Sequence, residues 1–142
     1  MSWEQSLIRI SGYEVETRQK RLAEVVSRRE AAEMQLVMLE AEIEAEIAYI
    51  RSDPLAAFHQ AAYLAESKVR RGRMLSEIDM VLTEELGARD ALAEAFEAQK
   101  KYEHVAAGIA QRRALEVARR ETAELDELGI RQASRPPAGA SG

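Results

Sequence analysis

Two histidines, His59 and His104, are the first side chains to test for chemistry; they lie 45 residues apart and neither sits in a metal-spaced pair. Glu40, Glu42, Glu44 and Glu46 alternate in a way that resembles a chelating run. On a helix, however, an i,i+2 spacing spreads charges around the axis and makes no chelating pair. The chain has no cysteine, which excludes disulfides, thiolate metal sites and cysteine nucleophiles. A glycine-rich phosphate loop, a nucleophile elbow and a Walker lysine are all missing. The expectation is a protein that is not an enzyme and needs no cofactor and no metal. The one pronounced charge feature is basic: Arg112, Arg113, Arg119 and Arg120, where 112/119 and 113/120 are each seven apart and share a helix face. Glu116 lies four residues from both Arg112 and Arg120 and partly neutralises them. That face is either a solvated surface laced with ion pairs or a docking surface for an acidic partner. Nucleic acid is disfavoured, because the net charge is −5 and aromatic residues are only 5% of the chain.

The elements that must position these residues are helices. Ala, Glu, Arg, Leu and Lys make up more than half of the 142 residues, a composition typical of long helices and coiled coils. No stretch is apolar enough to span a membrane, and the opening Met-Ser-Trp-Glu-Gln is no signal peptide, so a soluble cytoplasmic chain is expected. The three prolines are Pro54, Pro136 and Pro137, which leaves two long proline-free stretches. Asp53 can cap a new helix whose first residue is Pro54. From Ile8, steps of seven give Ile8, Val15, Leu22, Arg29, Leu36, Ile43 and Ile50, a continuous apolar seam broken once. The companion row, Ser11, Arg18, Val25, Ala32, Leu39 and Glu46, is thinner. In the second half the expected seam is Leu75, Ile78, Leu82, Arg89, Leu92 and Phe96, after which the stripe fades.

These patterns predict an all-α fold: a long antiparallel two-helix coiled-coil hairpin over residues 1–133, its second helix longer than its first. The first helix spans about 3–51, the break 52–53, and the second about 54–129, where Gly129 resembles a C-cap although basic residues beyond it could continue a frayed turn. Residues 134–142, rich in Pro, Gly, Ala and Ser, read as a disordered tail. The longer arm overshoots from Gln99 to Leu128. A competing layout puts the reversal near Gly72. Tyr49, Phe58, Tyr63 and Val69, with Ile50 and Leu55, cluster at the turn and are either hairpin packing or an anchor patch for a partner.

Ser6-Leu7-Ile8-Arg9-Ile10, Tyr13-Glu14 and Arg21-Leu22-Ala23 resemble the start of the flagellar FliJ family. Gln99-Lys100-Lys101-Tyr102-Glu103, Arg119-Arg120-Glu121 and the terminal Leu125-Asp126-Glu127-Leu128 are similar to that family's C-terminal signature. The resemblance covers roughly residues 4–130. It implies a component of the flagellar type III export apparatus, cytoplasmic and peripheral at the inner membrane. Such proteins are stalk-like coiled coils, monomeric alone, that engage the export ATPase FliI, the export gate protein FlhA and substrate chaperones. By that likeness Arg112, Arg113, Arg119 and Arg120 would face the ATPase ring, and Tyr49, Phe58, Tyr63 and Val69 the gate or chaperones. The alternative reading is a generic cytoplasmic scaffold or adaptor that self-associates through its seam.

Overall fold

Ser2 and Gln5 start the first helix by a reciprocal cap: the Gln5 N–H donates to Ser2 Oγ at 3.4 Å, and the Ser2 N–H donates to Gln5 Oε1 at 3.2 Å. In this computed structural model, which describes residues 2–135 except for the His59 side chain, helix α1 runs over Trp3–Ser52 and helix α2 over Pro54–Ala133. No strand occurs among the described residues, so the fold is all-α. Asp53 alone separates the helices. Its Oδ1 accepts the Leu55 N–H at 3.2 Å and its carbonyl accepts the Ala56 N–H at 3.1 Å, while Pro54 occupies the position where a missing N–H costs nothing. The break therefore lies at Asp53-Pro54, and Gly72 is inside α2.

The far end of α2 departs from expectation. Gly129 does not end the helix, which continues to Ala133. Arg131 pairs with Glu127 at 2.9 Å across the last turn, and Ser134 closes it through its N–H on the Ile130 carbonyl and its hydroxyl on the Arg131 carbonyl, both at 3.0 Å. The exposed Glu127–Arg131 pair and the Ser134 hydroxyl offset part of the roughly 1 kcal/mol that one helical glycine costs. Of the tail expected to be disordered, residues 136–142 lie outside the described residues.

Ile10–Gln99 form one compact unit; the described parts of 1–9 and 100–142 form another. In the first unit α1 and α2 lie against each other with opposite polarity, since Glu40 meets Arg71 at 3.1 Å while Arg28 meets Glu84 at 2.6 Å and Arg29 meets Glu85 at 2.9 Å. Val15, Val25 and Leu39 are buried from α1, with Leu22, Leu36, Ile43 and Ile50 half-buried beside them. From α2 the buried residues are Ser67, Ile78, Val81, Glu85, Ala88 and Ala95, and Met74 and Leu92 are half-buried. Ile78 and Leu92 thus face inward, as the spacing predicts.

Leu75, Leu82 and Phe96 do not. They are 37%, 38% and 39% exposed and flank the inner row Ser67, Met74, Val81, Ala88 and Ala95 by one residue. Charge decides between the two rows. Leu75, Leu82 and Phe96 share theirs with Arg89, whose only ion pair among the described residues is a loose 3.9 Å contact with Glu85 on its own helix. The chosen row is uncharged from Ser67 to Ala95, so burying it strands no ion.

Glu84 sits at the seam's edge between Arg28 and Arg21, the latter at 3.6 Å. The Arg28 hydrogen bond, reinforced by the charges of both arginines, holds the Glu84 carboxyl below the usual glutamate range. A carboxyl lowered by folding stabilises the folded state fully above the ordinary value of roughly 4.3, and that contribution is lost as pH falls through the lowered one. Thermal melts between pH 6 and pH 2 should show a shallower acid loss of stability in Glu84→Gln than in the natural chain. Parallel curves would remove Glu84 from the account.

Candidate functional site

The basic face lies on α2 in the second unit, and the structure divides its four arginines by what they touch. Arg113 reaches the other helix, pairing with Glu4 Oε1 at 2.8 Å. Arg120 pairs within α2 with Glu116 at 2.8 Å. Arg112 donates from Nε to the Gly108 carbonyl at 3.3 Å and has no carboxylate partner among the described residues. Arg119 has no ion-pair partner among the described residues and lines a shallow groove with Leu115, Ala118, Thr122 and Asp126. Two cations are thus engaged within the chain and two present their charge outward. Arg112 and Arg119 share one face.

The heptad rows that carry Val81, Glu85 and Ala88 earlier in α2 continue past Ile109 as Arg113, Glu116, Arg120, Ala123 and Glu127. Every described residue from Ala110 to Arg135 is exposed, whereas Ala106, Gly108 and Ile109 are half-buried. The unaccompanied end of α2 therefore begins near Ala110 rather than at Gln99, because the first turn of α1 extends to Arg113. A charged row there suits water as a neighbour. On the opposite side, two residues further along each repeat, Leu115, Ala118, Thr122 and Leu125 form a short exposed stripe edged by Arg112 and Arg119.

At the turn, Phe58 is 86% exposed and Leu55 82%, with Tyr49 and Val69 also exposed and Tyr63 half-buried. Leu55 and Phe58 are three apart on α2 and share a side. Tyr63 is partly claimed by packing, so the patch that projects is carried by Leu55, Phe58, Tyr49 and Val69. Among the described residues no three His, Cys, Asp or Glu side chains gather as metal ligands, and no helix is long and apolar enough to cross a membrane.

Flagellar FliJ proteins from two strains of Caulobacter vibrioides, NA1000/CB15N and ATCC 19089/CIP 103742/CB 15, are each 52% identical to this chain over 132 residues, covering 93% of it and 95% of their own length. The chain belongs to the FliJ family. No family model matches it, and no solved structure matches it. Full-length similarity at this identity includes both the turn and the exposed end of α2 in this FliJ-family chain.

Sequence reasoning missed Glu4 and the cross-helix pairs. Glu4 is 5% exposed, more buried than Glu85, though it is an acidic residue in a first turn where a solvated carboxylate is the ordinary expectation. The pairs had a visible signal: Arg29 is the one break in the α1 heptad, and Glu85 stands in line with Ile78 and Leu92. Two opposite charges interrupting two seams point to each other.

Proposed function

We propose that this chain is a non-enzymatic component of flagellar protein export: an antiparallel two-helix coiled-coil hairpin, monomeric alone, that acts as a stalk between the ATPase ring and the export gate with its chaperones. It works in the cytoplasm, peripheral at the inner-membrane export apparatus. The observation that carries this reading is the far end of α2, exposed over residues 110–135 and bearing Arg112 and Arg119, which have no carboxylate partner among the described residues. A stiff helix end with outward cations suits insertion against an acidic protein surface, and it needs no pocket or cofactor to do so. The turn supplies a second, chemically different contact. Exposed Leu55 and Phe58 offer apolar anchors for a hydrophobic pocket on the gate or a chaperone, with Tyr49, Tyr63 and Val69 around them.

The two ends should be separable. Phe58→Ala with Tyr63→Ala is expected to weaken gate and chaperone binding about 30-fold, since one buried aromatic anchor is worth about 2 kcal/mol. The same variant should retain ATPase association and the wild-type circular dichroism. A change in melting temperature alone would make the turn residues packing and nothing else. Sedimentation of the unmutated chain should give an elongated monomer at all concentrations, and a concentration-dependent dimer would favour a self-associating scaffold.

A further inference from the structure

Arg113 already holds a carboxylate, and the way it holds it is unusual. Glu4 brings Oε1 to 2.8 Å of the guanidinium, while its Oε2 is buried with no hydrogen-bond partner. The arginine side chain is 61% exposed against 7% for Glu4, so the cation is approachable and the anion is covered. We propose that the first turn of α1 is a built-in occupant of a carboxylate-binding surface centred on Arg113, and that an acidic segment of the partner takes the place of Glu4. This rests on the proposed role of the arginine face, and it names the chemistry and the regulation of that face.

Three features favour exchange. A dehydrated carboxylate with one oxygen unsatisfied forfeits much of what its ion pair gains, so the contact is close to break-even. The apolar grip around it is light: Trp3 is exposed, and Leu7 and Ile8 are only half-buried. Gly12 follows shortly after, in a position where a Cβ would make only an ordinary 3.5 Å contact, so packing does not demand the glycine and the helix is weakened there. The reciprocal Ser2–Gln5 cap lets the lifted turn remain helical. Lifting it adds Arg113 to Arg112 and Arg119 as carboxylate-free cations and uncovers Ala106 and Ile109. The resulting surface fits an amphipathic acidic helix better than the exposed end of α2 does alone. The protein thereby carries its own competitor.

The test is a cycle on the full chain with two readouts. Trp3 is the sole tryptophan and is next to Glu4. In the free protein, Glu4→Ala and Arg113→Ala should each lower Trp3 fluorescence anisotropy, and the swap Glu4→Arg with Arg113→Glu should restore it. For binding, the probe is the purified export ATPase. Glu4→Ala is expected to tighten association about fivefold by removing the internal competitor, Arg113→Ala to weaken it, and the double variant to match Arg113→Ala alone. Unchanged anisotropy in both single variants would overturn the proposal, as would a gain from Glu4→Ala that persists without Arg113, or no gain at all. If the ATPase binds no form of the chain while the anisotropy pattern holds, the intramolecular seat stands and the choice of partner is what fails.

Discussion

Arg112→Glu combined with Arg119→Glu is expected to weaken association with the export ATPase by about 30-fold, or about 2 kcal/mol, with helicity unchanged. Each reversal turns an exposed attraction of roughly 0.5 kcal/mol into a repulsion of similar size, and two such sites double the effect. Nothing in the folded chain opposes the change strongly. Arg112 loses only its bond to the Gly108 carbonyl, and Arg119 loses no ion pair. The new glutamates gain Glu116 as a like-charged neighbour, at a cost of a few tenths of a kcal/mol in an exposed helix. Arg120→Glu is the informative control. It breaks only the pair to Glu116 within α2, and its cation is already engaged there, so it should cost the complex less. The deficit of the first variant should grow as salt is lowered, because surface attractions are screened within about 10 Å at 0.1 M. Equal binding by that variant and the natural chain, at low salt and with intact circular dichroism, would remove the arginine face from the ATPase contact.

The helices were legible because their signals are redundant. Proline-free length, the Asp53-Pro54 cap and the row from Ile8 to Ile50 agree with one another, and each is local along the chain. The inner side of α2 was harder. Size alone favours Leu75, Leu82 and Phe96, and the row that wins is made of Ser67, Met74, Val81, Ala88 and Ala95. Its merit is the absence of charge, which becomes visible only when one asks what each alternative would force into the seam. The C-terminal boundary failed for a related reason: Gly129 is a stop signal taken singly, while Glu127–Arg131 and the Ser134 cap span it. For the site, the arginines could be read as a face, but their division into engaged and outward pairs depends on where α1 begins relative to α2. One turn of register decides whether Glu4 meets Arg113. Periodicity is blind to that.

That register has a device of its own. Arg29→Leu is expected to destabilise the chain by about 2 kcal/mol, Glu85→Leu by about 1 kcal/mol, and the two together to be neutral or stabilising. The asymmetry follows from the partners left behind. Without Arg29, the mostly buried Glu85 keeps, among the described residues, only Arg89 at 3.9 Å; without Glu85, the more exposed Arg29 still has Glu33 at 3.2 Å. With both replaced, leucines extend the apolar rows through the gap, and each 1 kcal/mol gained should raise the melting temperature by about 4–8 °C for a unit of this size. The ion pair is thus a poor stabiliser but a good discriminator. Sliding α1 by one heptad would set Arg29 against Ile78 or Leu92 and strand Glu85, a penalty that vanishes in the leucine pair. Spin labels at the exposed positions Lys20 and Asp90 should give one narrow distance distribution in the natural chain and a broader one in the double variant. A double variant less stable than both singles would show that the pair is a net source of stability and not a device that sets the register.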